Sequence, residues 1–233
     1  GQSGRYTIDP RAAAIEWFRS ARFGMFMHYG LYSLLGGEWQ GVPQPAKGAE
    51  WIQLVMNIPV ATYARLQESF TADNFDADGI CRVAARAGMR YINLTTRHHD
   101  GFCLWDTATT RFSSMHAPAR RDLVAELVDA CDRHGLGCFL YYSHGRDWWH
   151  PDSPYVPGGK LGSSRPSCPE DRAHVHWDSN YDLNRYLDLV EAQVLELCAY
   201  PNVAGIWLDG IGGFLHMPDG VRLSRCQDLY DKV

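Results

Sequence analysis

An α/β fold on a parallel sheet is what this sequence predicts, and three observations carry the prediction. Four short apolar runs, Phe23 to His28, Tyr91 to Thr96, Cys138 to Ser143 and Val203 to Asp209, alternate with helical stretches. They are apolar throughout rather than at every second residue, which suits parallel strands covered on both faces. Each run also ends in polar or aromatic residues, as strands do at the mouth of a parallel barrel. Alternating strand and helix leaves two architectures, a barrel or a doubly wound sheet. No glycine cluster follows a strand with the spacing of a phosphate loop or a GxGxxG turn, so a TIM-type (β/α) barrel is favoured. An eight-unit barrel takes about 250 residues, yet only four strand-helix units are countable in the 233 residues. The expectation is a single barrel domain over residues 1–233, truncated relative to the eight-unit form, with a fourth helix interrupted within 228–233.

The helices follow in order. Residues 76–87 put Ile80, Val83, Ala84 and Ala87 on one stripe and stop at Gly88, which can adopt the left-handed conformation that ends a helix. Residues 122–134 repeat the device with Leu123, Val124, Leu127, Val128 and Cys131, stopping at Gly135. Residues 181–198 form the longest amphipathic helix, through Leu183, Leu187, Val190, Val194 and Leu197. Pro151 to Ser179 is rich in Pro, Gly and Ser and has no apolar period, so it reads as a long loop of the functional or disordered kind.

Composition narrows the function. With 22 Lys+Arg against 27 Asp+Glu, the net charge is −5, which disfavours a nucleic-acid partner held by phosphate contacts. No run approaches the roughly 20 apolar residues of a membrane span. The seven cysteines show neither a CxxC pair nor disulfide-scaffold spacing, and five of them (Cys81, Cys103, Cys131, Cys138, Cys198) lie in apolar segments. Free thiols and the lack of a visible signal peptide favour a reducing, cytoplasmic setting.

The strand ends carry the chemistry. His28 ends the first strand, His98 and His99 follow the second, Tyr141 and His144 bracket the third, and Asp209 ends the fourth, so all should converge at one mouth. Asp209, with Trp207 two residues earlier on the same face, suits a carboxylate nucleophile or base, although a strand-end Asp equally suits a helix cap. Neighbouring residues on a strand point to opposite faces, which argues against His98 and His99 sharing a metal unless a loop carries them. Trp39, Trp105, Trp148, Trp149, Trp177 and Trp207 crowd the same ends. Many would be ordinary packing, but ring faces beside His, Glu and Asp suit a sugar, with its C–H faces and hydroxyls.

Five segments then match a known pattern in order: FGMFMHYGLYSLLGGEWQG, HHDGFCLWDT, RRDLVAELVDAC, LYYSHGRDWWHP and GIWLDG. Together they closely resemble the retaining α-L-fucosidases of glycoside hydrolase family 29, from Trp17 to Gly210. The resemblance implies a catalytic (β/α) barrel that releases terminal α-linked L-fucose from a glycan with retention and needs no cofactor or metal. It places Asp209 at the nucleophile position. It places His28, Glu38, Trp39, His98, His99, Tyr141 and Trp207 at fucose-contacting positions. The family's acid/base carboxylate comes from later loops, so Glu50, Asp147, Glu170, Asp171, a neighbouring subunit or a longer chain would have to supply it. A shortened barrel exposes strand edges and an apolar face, so a homo-oligomer is expected. Two rival readings are a non-catalytic glycan-binding protein and a metal-dependent hydrolase using His28, His98, His99 and Asp209. The His174-x-His176 pair is a weak zinc-like signal.

Overall fold

The computed structural model describes residues 10–45, 48–154, 165–166, 168–174, 181–216 and 219–233. The chain opens with helix α1 (Pro10–Ala21) and strand β1 (Gly24–Met27), followed by a hairpin of β2 (Glu38–Trp39) and β3 (Val42–Pro43). Two short helices, α2 (Ile52–Val55) and α3 (Val60–Ala64), lead to α4 (Ala77–Arg86) and β4 (Tyr91–Arg97). Then come α5 (Leu123–Arg133), β5 (Gly137–Ser143), α6 (Leu183–Cys198) and β6 (Val203–Asp209). Helices α7 (Gly220–Leu223) and α8 (Cys226–Lys232) end the chain.

The four long strands form one parallel sheet in the order β1-β4-β5-β6. All four predicted strands are present, and their spatial order follows their chain order without the reversal that marks a doubly wound sheet. One face carries Ile92, Leu94, Cys138 and Leu140, all buried under α4, α5 and α6. The helices start and stop as their sequences dictate. Asp76 and Asp122 cap α4 and α5 by accepting backbone N–H bonds from Gly79 (2.9 Å) and Ala125 (2.8 Å). Gly88 and Gly135 follow these helices with φ of +78° and +64°, where any side chain would be strained.

Two helix expectations need correction. In α4 the buried stripe is Ala77, Cys81 and Ala84, while Val83 is 62% exposed, because the helix turns Cys81 toward Cys131 of α5, 3.8 Å away. The predicted stripe of α5 is buried throughout, and that of α6 is buried from Leu187 to Leu197. The interrupted helix begins at Cys226 rather than 228. Helix α1 was not anticipated, although Pro at its first position and three alanines favour it.

The opposite face of the sheet carries aromatics. Trp17 and Phe18 of α1 pack on Phe139 at one end, with ring centroids 6.2 and 5.2 Å apart. Farther along, Phe26 of β1 stacks on Trp207 of β6 at 5.0 Å and meets Tyr141 at 5.8 Å. Two strands separate β1 from β6, so a flat sheet would hold them ~14 Å apart. The sheet is therefore curled, with its aromatic face on the concave side. Phe26 and Trp207 remain 43% and 49% exposed there.

Candidate active site

The C-terminal ends of the strands gather a cluster at one end of this concave face. The alternation Phe139, Tyr141, Ser143 on β5 and Gly205, Trp207, Asp209 on β6 turns these residues to the same side. The backbone carbonyl of Asp209 accepts N–H bonds from His144 (2.8 Å) and Gly145 (3.2 Å), tying the two strand ends together. At β4 the pairing register slips between Thr95 and Arg97. This slip turns Arg97 under the helices, where it pairs with Asp147 at 2.7 Å and lies over the Tyr142 ring. Strand β4 ends there, so His98 and His99 sit in a loop and are free of strand alternation. Their rings lie side by side, 4.0 Å between centroids.

Asp209 is the centre of the cluster. Tyr141 donates its phenolic O–H to Asp209 Oδ2 at 2.6 Å, and the side chain is 45% exposed. His99 Nε2 lies 4.0 Å from the same oxygen. His28 stands 5.3 Å from His98 and 6.3 Å from Tyr141, ring to ring, and Trp207 flanks the group through Phe26. Burial holds His98 and His99 well below the usual histidine pKa, and neighbouring His28, Arg146 and Arg97 add to the effect. Burial also lowers His28, opposed by Glu50 and Asp209. Burial raises Tyr141, as does the adjacent Asp209 carboxylate, so this phenol stays protonated. The result is a half-open carboxylate flanked by neutral histidines, a protonated phenol and aromatic faces, with the Arg146 guanidinium near enough for its charge to act on it, able to attack an electrophilic carbon while a polyhydroxylated ligand is held.

Six expected residues (His28, His98, His99, Tyr141, Trp207, Asp209) therefore meet. Glu38 and Trp39 do not join them. They lie on the β2–β3 hairpin, where Glu38 is exposed and Trp39 packs on the main core, and among the described residues neither bonds to the cluster. The chain has a second Glu-Trp pair, and this one arrives. Trp51 sets its edge against His99 (4.9 Å) and His98 (6.5 Å), and Glu50 is close enough for its charge to act on His28. Arg146, 6% exposed, lies over the Trp51 ring at 4.9 Å. Ser143, fully buried, bridges Tyr141 and His99. Two identical dipeptides in one stretch gave no sequence criterion for choosing the second, whereas Ser143 was visible two residues after Tyr141.

Other candidates are occupied elsewhere. His144 turns away, its Nε2 2.8 Å from the Ser224 carbonyl, because the strand parity that points Ser143 inward points His144 outward. Asp147 is consumed by Arg97 and by the N–H groups of Trp149 and His150. Asp171 accepts the Val60 N–H, and Glu170 and Asp171 line a separate groove of about 610 Å³ with Trp149 and His174. Trp105 is core, bonding Glu196, and Trp148 packs against His99. Trp177 and His176 lie outside the described residues. Among the described residues, no group of three or more His, Cys, Asp or Glu side chains is placed to hold a metal.

Comparison with known proteins converges on the same region. The family model for α-L-fucosidase matches residues 6–219. Tissue α-L-fucosidases of Mus musculus and Homo sapiens are 35% identical over 145 residues and 34% over 141, covering 58% of this chain. The chain spans only 31% and 30% of those proteins' length, about a third. Among solved structures, an α-L-fucosidase from Lactobacillus casei in complex with its α-L-fucose product superposes with a TM-score of 0.79 at 32% identity, covering 94% of this chain and 67% of that one. A Bacteroides thetaiotaomicron α-L-fucosidase of glycoside hydrolase family 29, captured as a covalent intermediate with 2-fluoro-fucosyl fluoride, gives 0.71 at 32%, covering 85% and 41%. With the family pattern running from residue 6 to 219 and the Asp209 cluster inside it, this chain belongs to the α-L-fucosidase family.

Proposed function

We propose that this chain carries the nucleophile and the fucose-reading part of a retaining α-L-fucosidase, with Asp209 as nucleophile. The supporting observation is the 2.6 Å bond from Tyr141 to a carboxylate left half open amid neutral histidines and tryptophan faces. In a double displacement the ionised carboxylate attacks the anomeric carbon, and a second carboxyl about 5 to 5.5 Å away protonates the leaving oxygen and then activates water. The covalent intermediate trapped in the Bacteroides enzyme is the species such a reaction passes through. His28, His98, His99 and Tyr141 would read the sugar hydroxyls, Trp207 and Phe26 would face its apolar side, and Glu50 and Trp51 take the role expected of Glu38 and Trp39. Among the described carboxylates outside Asp209, Glu50 is the candidate beside the cluster for the second acid. Other sources are a longer chain or a neighbouring subunit.

The same reading makes the curled four-strand sheet an arc of a (β/α) barrel. Its consecutive parallel order and its half-exposed Phe26 and Trp207 support an arc closed by further strands, from more chain or from a second copy in a homo-oligomer.

Hydrolysis of two α-L-fucosides, one releasing nitrophenol and one releasing a sugar, tests the proposal beside Asp209→Ala. A nitrophenolate leaves with little protonation, so it reports the nucleophile alone. Activity on the aryl substrate that disappears in Asp209→Ala is expected, and activity on the sugar substrate as well would place the acid in this chain or its oligomer. Turnover retained by Asp209→Ala overturns the assignment, and fucose binding without turnover would make the protein a glycan binder.

A further inference from the structure

Ser143 has no exposure and cannot touch a ligand, yet its hydroxyl joins the two groups that flank Asp209. On one side Oγ is 3.0 Å from the Tyr141 phenol, and on the other it is 2.7 Å from His99 Nδ1. With the 2.6 Å bond from Tyr141 to Asp209 Oδ2, this makes three contacts in a row. Each needs one proton. An ionised carboxylate has none to give, whereas a phenol, a serine and a neutral imidazole carry one each.

Only one arrangement supplies all three contacts. The Tyr141 proton points to Asp209, so the phenol oxygen must accept, and Ser143 is the group that can donate to it. Ser143 Oγ must then accept in turn, which requires the His99 proton to sit on Nδ1. With the proton on Nε2 instead, Ser143 would have to serve both His99 and Tyr141 with a single hydrogen, leaving two buried lone pairs facing each other at one contact. The imidazole is neutral in this scheme, as its surroundings require. His98, Arg146, Arg97 and His28 all oppose a charge on His99 in addition to its burial, and Asp209 is the acidic group facing it.

We infer that Ser143 is a positioning residue that fixes His99 in its Nδ1–H tautomer, leaving Nε2 as a bare hydrogen-bond acceptor on the Asp209 side of the site. There Nε2 has no bond to Asp209, 4.0 Å being too long. It is set to accept a hydrogen bond from a ligand hydroxyl beside the carboxylate. This use of the acceptor rests on the sugar-site reading above, but the tautomer itself does not.

The tautomer is read directly by ¹⁵N NMR of the full chain at neutral pH with no sugar present, the His99 resonances being assigned by their loss in His99→Gln. The expected result is a protonated Nδ1 and an unprotonated Nε2. In Ser143→Ala that pattern should be lost in favour of Nε2–H, and Ser143→Thr, which keeps the hydroxyl, should restore it. An Nε2–H tautomer in the unmodified protein, or an unchanged Nδ1–H in Ser143→Ala, overturns the inference. Should the alanine variant fail to fold, the tautomer of the unmodified protein alone decides. Absence of fucoside hydrolysis alongside an Nδ1–H His99 would count against the enzymatic proposal and leave the role of Ser143 standing.

Discussion

Removing Asp147 should destabilise the fold severely, by an amount that the structure allows to be built up. The Asp147 carboxylate holds the fully buried Arg97 guanidinium at 2.7 Å with one oxygen and caps the N–H groups of Trp149 and His150, each at 2.8 Å, with the other. In Asp147→Ala the guanidinium keeps the Ser143 carbonyl, Gln193, Tyr186 and the Tyr142 ring but loses its counter-charge. Breaking a buried pair from one side costs about 3 to 5 kcal/mol, and two lost backbone bonds add ~1 kcal/mol each. The surviving partners of Arg97 offset part of this, so a loss of about 4 kcal/mol is expected. With a urea m-value of ~2 kcal/mol/M that is a fall of ~2 M in the denaturation midpoint. The double variant Arg97→Met/Asp147→Ala carries no buried charge and should recover at least ~2 kcal/mol of the loss. A single-variant loss below ~1 kcal/mol, or a double variant no more stable than Asp147→Ala, would refute the account. It would also reopen Asp147 as an acid free to act in catalysis.

The buried histidines predict sensitivity to acid. An unfolded histidine takes up a proton near pH 6.5, while folded His98 and His99 stay neutral well below that and His144 does so down to about 4, so stability is present above pH 6.5 and falls as the pH drops below it. Asp100, pushed up to about 6 by burial, favours the folded state toward acid and offsets the His144 contribution between about 6 and 4. His98 and His99 therefore leave the folded state losing stability as the pH falls below that of an unfolded histidine; thermal melts whose midpoint rises as the pH is lowered from 8 to 5 would contradict it. At the site, Trp51→Ala should weaken L-fucose binding about tenfold, which is ~1.4 kcal/mol, because it removes the ring that covers His99 and Arg146. Trp39→Ala should change binding less than about twofold on the same scale, and calorimetric titration giving equal losses would return Trp39 to the site.

How far the sequence could lead depended on whether a residue's place follows from local periodicity. The strands follow from continuous apolar runs, the buried stripes of α5 and α6 from a 3.6-residue period, the stops of α4 and α5 from Gly88 and Gly135, and the arrival of His28, Tyr141, Trp207 and Asp209 at one end from the rule for parallel strand ends. Whether a loop carries His98 and His99 side by side stayed open, because the register slip between Thr95 and Arg97 leaves no trace in hydropathy. The Val83 stripe failed because Cys81, two residues before Val83, lies on the opposite side of α4, and its contact with Cys131 turned that side to the core. Glu50 and Trp51 reach His28 and His99 only through the path of the chain between β1 and α4, a tertiary fact that a repeated dipeptide cannot announce.

Asp209 stands on β6, which among the described residues pairs with β5 alone, whereas β4 and β5 are held on both sides. The amides of β6 on its unpaired side should therefore exchange with solvent faster than those of β4, and opening at this rim should carry the carboxylate with it. On the function proposed above, the nucleophile rides on one of the sheet's two least-secured strands. Its aim is set from one side by Tyr141 and the two backbone bonds to its carbonyl, and whatever covers the free rim of β6 would act on the reaction without touching the substrate.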